Sequence, residues 1–257
     1  LGAGVILMQN DFTPTAFDIA SLVAGQEETL TSSDSKPLAV VLASGGMDSC
    51  VTIAKAVRDF EAALLHVNYG QRTEQRELEA FNGIADHYRV AKHRRLLVSI
   101  EHLLRIGGSS LTDRNIEVAD AREKRQGIPN TYVPFRNANL LAIAVSWAET
   151  LGAEAVFIGA VEEDSSGYPD CREAFFQAYQ LVIEHGSKNE HSLRIHTPLI
   201  HMSKTEIVLE GVRLRAPLEL SWSCYRNEQK ACGTCESCVL RLGGFRGAGI
   251  EDPIPYE

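Results

Sequence analysis

Leu38-Ala39-Val40-Val41-Leu42-Ala43 runs without a break into Ser44-Gly45-Gly46-Met47-Asp48-Ser49, and a helical pattern takes over from about 48 to 60. An apolar strand, a glycine turn and a helix in direct succession form the opening half of a βαβ unit, which commits a chain to a parallel sheet with helices packed on it. The following segments keep the alternation. Residues 62–67 read as a second strand, 73–87 as a helix and 95–99 as a third strand. A helix near 137–151, a strand at 155–158 and a helix near 172–185 follow, and Ser203-Lys204-Thr205-Glu206 has the spacing of a capping box that opens one more helix. The expected fold class is α/β, with a doubly wound, mostly parallel sheet.

Three divisions follow from composition: an N-terminal appendage over 1–36, the main domain over 37–220, and a C-terminal segment over 221–257 packed on that same domain. Within the appendage, 13–24 has amphipathic spacing and the Ser- and Asp-rich stretch at 31–35 reads as linker. Residues 107–130 are rich in glycine and charge and lack apolar periodicity, so a surface excursion is expected there, either a lid or a mobile loop.

The turn after the first strand carries the first chemistry. Its glycines let backbone N–H groups approach an anion, and the helix that follows turns its positive end toward the same place. Ser44 and Ser49 can add hydroxyl donors, while Asp48 can either cap the helix or hold a phosphate-bound Mg2+. Neither G-x-x-x-x-G-K-[ST] nor G-x-G-x-x-G occurs at this turn. The string instead resembles the PP-loop of the ATP pyrophosphatases, whose sheet is of the adenine nucleotide alpha hydrolase-like kind. That resemblance implies cleavage of ATP between its α and β phosphates, with AMP transferred to an oxygen of the substrate. Ala43, Ser44, Gly45, Gly46, Met47, Asp48, Ser49, Cys50, Val51, Thr52 and Ile53 would then form the ATP-binding stretch. Ser44, Asp48 and Ser49 would act in catalysis together with Arg136 and Lys204, the two cations expected to neutralise phosphate charge.

Cys224, Cys232, Cys235 and Cys238 follow the pattern C-x7-C-x2-C-x2-C, with Gly233 allowing a sharp turn between two of them. Four thiolates can close a tetrahedral Zn2+ site and leave no position for water, so a structural metal is the favoured reading. An iron–sulfur cluster is the alternative that close spacing also permits. Cys50, within the first helix, reads as a small buried hydrophobe.

A third group of motifs consists of Tyr69-Gly70-Gln71-Arg72, Tyr132-Val133-Pro134-Phe135-Arg136-Asn137, Ser166-Gly167-Tyr168-Pro169-Asp170-Cys171-Arg172, His196-Thr197-Pro198-Leu199 and Trp222-Ser223-Cys224. In this order, with the cysteine tail, they resemble the 7-cyano-7-deazaguanine synthase family of the queuosine pathway over about 37 to 253. The resemblance implies an ATP-dependent carbon–nitrogen ligase that converts 7-carboxy-7-deazaguanine and ammonia to the nitrile through adenylated intermediates, working as a homodimer. It also implies a substrate pocket built from Gln71, Arg72, Tyr168, Asp170 and Arg172, with Asp170 accepting from the base's N–H edge and Tyr168 covering its ring. Taken from the residues alone, Asp170 could instead cap the helix that begins near 172. The alternatives for function are a tRNA-thiolating or tRNA-lysidine type of PP-loop enzyme, or a ligase joining the deazaguanine carboxylate to a different amine.

Charge bears on those alternatives. Lys and Arg total 25 against 34 Asp and Glu, a net charge of -9, so the surface repels nucleic-acid phosphates and a tRNA substrate is disfavoured. Short basic runs occur only at 93–95 and 122–125, each expected to be a solvated edge. No apolar stretch approaches the roughly 20 residues of a membrane-spanning helix, and no lysine or arginine precedes Lys36 to mark a secretory signal, so a cytoplasmic location is expected.

Overall fold

Five parallel strands in the order β3-β2-β1-β4-β5 form the centre of the molecule in a computed structural model that describes residues 36–121, 127–162, 167–188 and 193–257. The helical pattern at 13–24, the linker, the 122–125 basic run and Ser166 lie outside the described residues. The strands are β1 (Leu38–Leu42), β2 (Glu61–Asn68), β3 (Arg95–Ser99), β4 (Ala155–Phe157) and β5 (Arg194–His196). Between and after them run α1 (Met47–Asp59), α2 (Glu74–His87), α3 (His102–Ile106), α4 (Arg136–Leu151), α5 (Glu173–Gly186), α6 (Lys204–Arg213) and α7 (Glu236–Gly247).

Side-chain alternation along the central strand divides the interior. Ala39 and Val41 face a core shared with α1, α2 and α6, whereas Val40 and Leu42 face a core shared with α4 and α5. Because both faces are covered, β1 is apolar throughout instead of alternating with polar residues. The winding changes direction at β1, since β2 and β3 lie to one side and β4 and β5 to the other. At that reversal the loops leaving β1 and β4 part and open a crevice at the carboxyl ends of the strands.

Helix α6 starts with the expected capping box, Ser203 accepting from the Glu206 N–H and Glu206 accepting from the Ser203 N–H. Helix α7 packs directly on its first turn. A Cβ at Gly244 would stand 2.8 Å from the Lys204 carbonyl oxygen, so glycine is required for the contact.

The short elements β5 and α3, and the longer helix α7, carry too little apolar periodicity to be read from sequence. The excursion also differs from its expected form. Its described part has no regular element between 107 and 121, yet Leu111 and Val118 belong to the core and arginines hold its backbone. Arg72 donates to the carbonyls of Ser110, Asp113 and Ile116 at 2.7, 3.0 and 2.7 Å, and Arg226 to that of Val118 at 2.7 Å. Carbonyls satisfied by distant guanidinium groups leave no periodic trace in a sequence.

The C-terminal segment is fastened by Arg241, which is 1% exposed. Its guanidinium grips Asp252 at 2.7 and 2.9 Å and also reaches the Ser221 hydroxyl at 2.8 Å and the Leu218 carbonyl at 3.1 Å. Removing one partner of a buried pair strands the other charge. Asp252→Ala is therefore expected to cost about 3–5 kcal/mol in urea unfolding, more than an apolar double replacement of Arg241 and Asp252.

Candidate active site

Two adjoining cavities occupy the crevice, with volumes of about 250 and 170 Å³. Both are walled by Asp48, Arg136, Gly159, Ser223, Tyr225 and Ser237. The larger adds Ala43, Ser44, Gly46 and Ser49 from the turn after β1, together with Glu77 and Tyr69; the smaller adds Met47, Tyr168, Cys171 and Lys204.

The turn has the form that anion binding needs. Gly45 has φ +85°, and a Cβ there would lie 2.5 Å from the Glu77 carbonyl oxygen, so no other residue fits against α2. Ser44 and Ser49 hydroxyls meet at 3.2 Å, and Ser49 also donates to the Gly46 carbonyl at 3.0 Å. Gly45 is fixed from the far end of the chain, its carbonyl accepting the Trp222 N–H at 2.8 Å. Of the ATP-binding stretch expected from sequence, Ala43, Ser44, Gly46, Met47, Asp48 and Ser49 reach cavity walls. Cys50, Val51, Thr52 and Ile53 are buried inside α1, where packing is their role, and burial pushes the Cys50 thiol up to about 12.

Lys204, first residue of α6, donates to Asp48 Oδ2 at 2.7 Å. Asp48 Oδ1 is buried with no hydrogen-bond partner among the described residues. A carboxylate oxygen left in that condition beside a phosphate turn suits a Mg2+ ion, a hard cation that takes oxygen ligands. Arg136, first residue of α4, donates to the Tyr69 hydroxyl at 3.0 Å and stands 5.3 Å from the centre of its ring.

Residues expected to form the substrate pocket separate. Tyr168 lines the smaller cavity and donates to Thr131 Oγ1 at 2.7 Å. Asp170 is buried off both cavity walls: its Oδ2 accepts the Asn137 N–H at 2.9 Å and its carbonyl accepts Asn137 Nδ2 at 2.8 Å. It therefore caps α4, not α5 as its place in the sequence suggests, and in doing so fixes the turn that carries Arg136. Gln71 bridges the Tyr69 N–H and the Glu77 carboxylate, at 2.9 and 3.1 Å. Arg72 holds the excursion, and Arg172 is exposed; neither is among the cavity walls.

Sulfur atoms of Cys224, Cys232, Cys235 and Cys238 lie within 4.8 Å of one another. A tetrahedron with Zn–S bonds of about 2.3 Å has edges of about 3.8 Å, so the set is close to a ligating arrangement. Backbone N–H groups of Arg226, Asn227 and Cys232 point at Cys224 Sγ from 3.3 to 3.4 Å, as suits a thiolate. The cluster adjoins the crevice directly, since Ser223 and Tyr225 flank Cys224 and Ser237 precedes Cys238. Ser223 falls within the Trp222-Ser223-Cys224 motif, whereas Tyr225, Ser237, Glu77 and Arg241 belong to no motif read from the sequence; closeness to cysteines is the one signal for Tyr225 and Ser237.

The family profile described as queuosine biosynthesis protein QueC matches residues 38–249. Proteins named 7-cyano-7-deazaguanine synthase from Chlorobium phaeobacteroides (strain DSM 266) and Chloroherpeton thalassium are 59% and 57% identical over 220 residues, covering 85% of this chain and 96% of each relative. Among solved structures, NMN synthetase from Francisella tularensis is 14% identical at a TM-score of 0.42, covering 73% of this chain and 65% of that one, too distant to add weight.

Two outcomes follow from this geometry. Cys235→Ser should lower bound metal and melting temperature together, read by metal analysis and thermal unfolding, because a hydroxyl replaces one of four sulfur ligands. Asp170→Ala should cost about 1–2 kcal/mol of stability in urea titration through loss of the α4 cap.

Proposed function

The chain belongs to the QueC family, and from that premise we propose that it is an ATP-dependent synthase converting 7-carboxy-7-deazaguanine and ammonia to 7-cyano-7-deazaguanine. The observation that carries the reading is the meeting of Ser44, Asp48, Arg136 and Lys204 at the reversal of the sheet, next to the cavity lined by Tyr168.

A carboxylate has no leaving group of its own. Attack by its oxygen on the α-phosphorus of ATP forms the carboxyl adenylate and expels pyrophosphate. Ammonia then displaces AMP to give the amide. A second ATP adenylates the amide oxygen, and loss of AMP leaves the nitrile. The turn after β1 offers N–H groups and hydroxyls to the phosphates, and Arg136 and Lys204 offset the charge that builds up on them. Asp48 would hold Mg2+ through Oδ1, and the bound ion would neutralise phosphate charge. The four cysteines would hold Zn2+ in a closed set, a structural role. Water that reached the adenylate would hydrolyse it, so the step favours a site recessed in the crevice.

We place the enzyme in the cytoplasm and assign it a homodimeric assembly; no helix among the described residues is long and apolar enough to cross a membrane. The net charge of -9 weighs against a tRNA substrate. Incubation with 7-carboxy-7-deazaguanine, ATP and ammonium, followed by mass spectrometry, should yield the nitrile. An amide that never proceeds, or a conjugate with another amine, would reject the assignment. Asp48→Ala should abolish pyrophosphate release with a melting temperature near that of the wild type, since the residue lies on the cavity wall and its loss leaves no void in the core. Near-normal release would remove Asp48 from the phosphate site.

A further inference from the structure

The reaction proposed above, on which this inference rests, releases protons that some group must accept. Attack of the ammonia lone pair on the adenylated carboxyl carbon forms the C–N bond and leaves a positively charged nitrogen. That nitrogen must lose a proton as AMP departs with the C–O electron pair and the amide remains. After the second adenylation, breaking the C–O bond to AMP gives a nitrile only when both remaining N–H protons have left.

Few wall residues can take those protons. Among the described residues no histidine lines either cavity, and Asp48 is engaged by Lys204. Arg136, Lys204 and Arg241 are cations without an acceptor atom. The rest of the ionisable walls are tyrosines and Cys171, whose thiol burial pushes up to about 11.

Glu77 is different. Its half-buried side chain lines the larger cavity beside Ser44, Asp48 and Arg136. Among the described residues neutral donors hold the carboxylate, Thr73 Oγ1 on Oε1 at 2.9 Å and Gln71 Nε2 on Oε2 at 3.1 Å. Each oxygen accepts one bond and keeps a lone pair. The Tyr69 N–H anchors Gln71 at 2.9 Å, so the carboxylate is oriented through a short fixed chain. The charged and titratable groups facing it are Arg136 from α4, Tyr69 from the end of β2 and Glu74 on its own helix.

We propose that Glu77 is the general base that takes the protons released by the attacking nitrogen. Burial pushes its carboxyl up to about 7, outweighing the donors Thr73 and Gln71 and the charge of Arg136. A base in that range is substantially ionised at neutral pH and still holds a proton well.

The test separates adenylation, which needs no such base, from the steps at nitrogen. In Glu77→Gln, exchange of labelled pyrophosphate into ATP with 7-carboxy-7-deazaguanine present should stay near wild type. Nitrile formation should fall about 10²–10⁴-fold in kcat, with KM for the deazaguanine little changed and the acid limb of the kcat–pH profile gone. Thr73→Val removes a donor that favours the carboxylate, so it should move the acid limb of an otherwise active enzyme to higher pH. Wild-type turnover in Glu77→Gln, a loss confined to KM, or parallel loss of exchange and nitrile formation would each overturn the proposal. So would an acid limb left in place by Thr73→Val. Failure of the wild type itself to exchange pyrophosphate with this substrate would instead overturn the functional reading, and the role of Glu77 with it.

Discussion

A turn that binds phosphate must offer its amide hydrogens to the ligand and still hold a single shape, so it is fastened by its other atoms. After β1 the fastening comes from three directions. The His66 ring meets the Ala43 carbonyl at 2.9 Å through Nδ1; that oxygen can only accept, so Nδ1 carries the proton. Nε2 meets Asn68 Oδ1 at 2.9 Å, so both ring nitrogens are held, and burial pushes the His66 pKa down. The Gly45 carbonyl takes the Trp222 N–H, and the α2 backbone closes on Gly45 so tightly that a Cβ is excluded. A strand, a helix and the C-terminal segment thus converge on one short turn.

That convergence explains why the C-terminal segment is part of the crevice and more than a tail. Trp222 holds the turn, the Arg76 guanidinium lies 4.6 Å over its ring, and the next residues, Ser223 and Tyr225, become walls. The cysteine cluster on one side and the Arg241–Asp252 pair on the other keep this strip of chain in place. Polar and sulfur contacts thus act beside the buried apolar surface of Trp222, Phe245 and Ile254 in anchoring the segment.

Several polar residues act at one remove from the cavities. Asp170 caps the helix that presents Arg136, Gln71 orients Glu77, and Arg72 secures the excursion whose far side meets the cysteine segment, Ala121 donating to the Thr234 carbonyl at 3.1 Å. Residues in a family's motifs therefore divide into those on the walls and those that aim the walls. A motif string cannot separate the two, because both are short polar side chains beside turns.

What could be read from sequence was local. The apolar run from Leu38 to Ala43 determined a buried strand, the spacing of Ser203 and Glu206 a helix start, and the four cysteines a cluster able to hold a metal, because each depends on neighbours within a few residues. The glycines after β1 determined a tight turn between strand and helix for the same reason. Tertiary structure decided the rest. It brought Lys204 to Asp48 across 156 positions, gave Asp170 to Asn137 and not to its own helix, and set Glu77 on the cavity among neutral donors. Short elements such as β5 and α3 were likewise settled by packing, their three and five residues being too few to show a period. The physical reason is that periodicity records which face of an element is buried, whereas a side chain's partner, its desolvation and its charge state depend on segments that meet only once the sheet has wound in both directions.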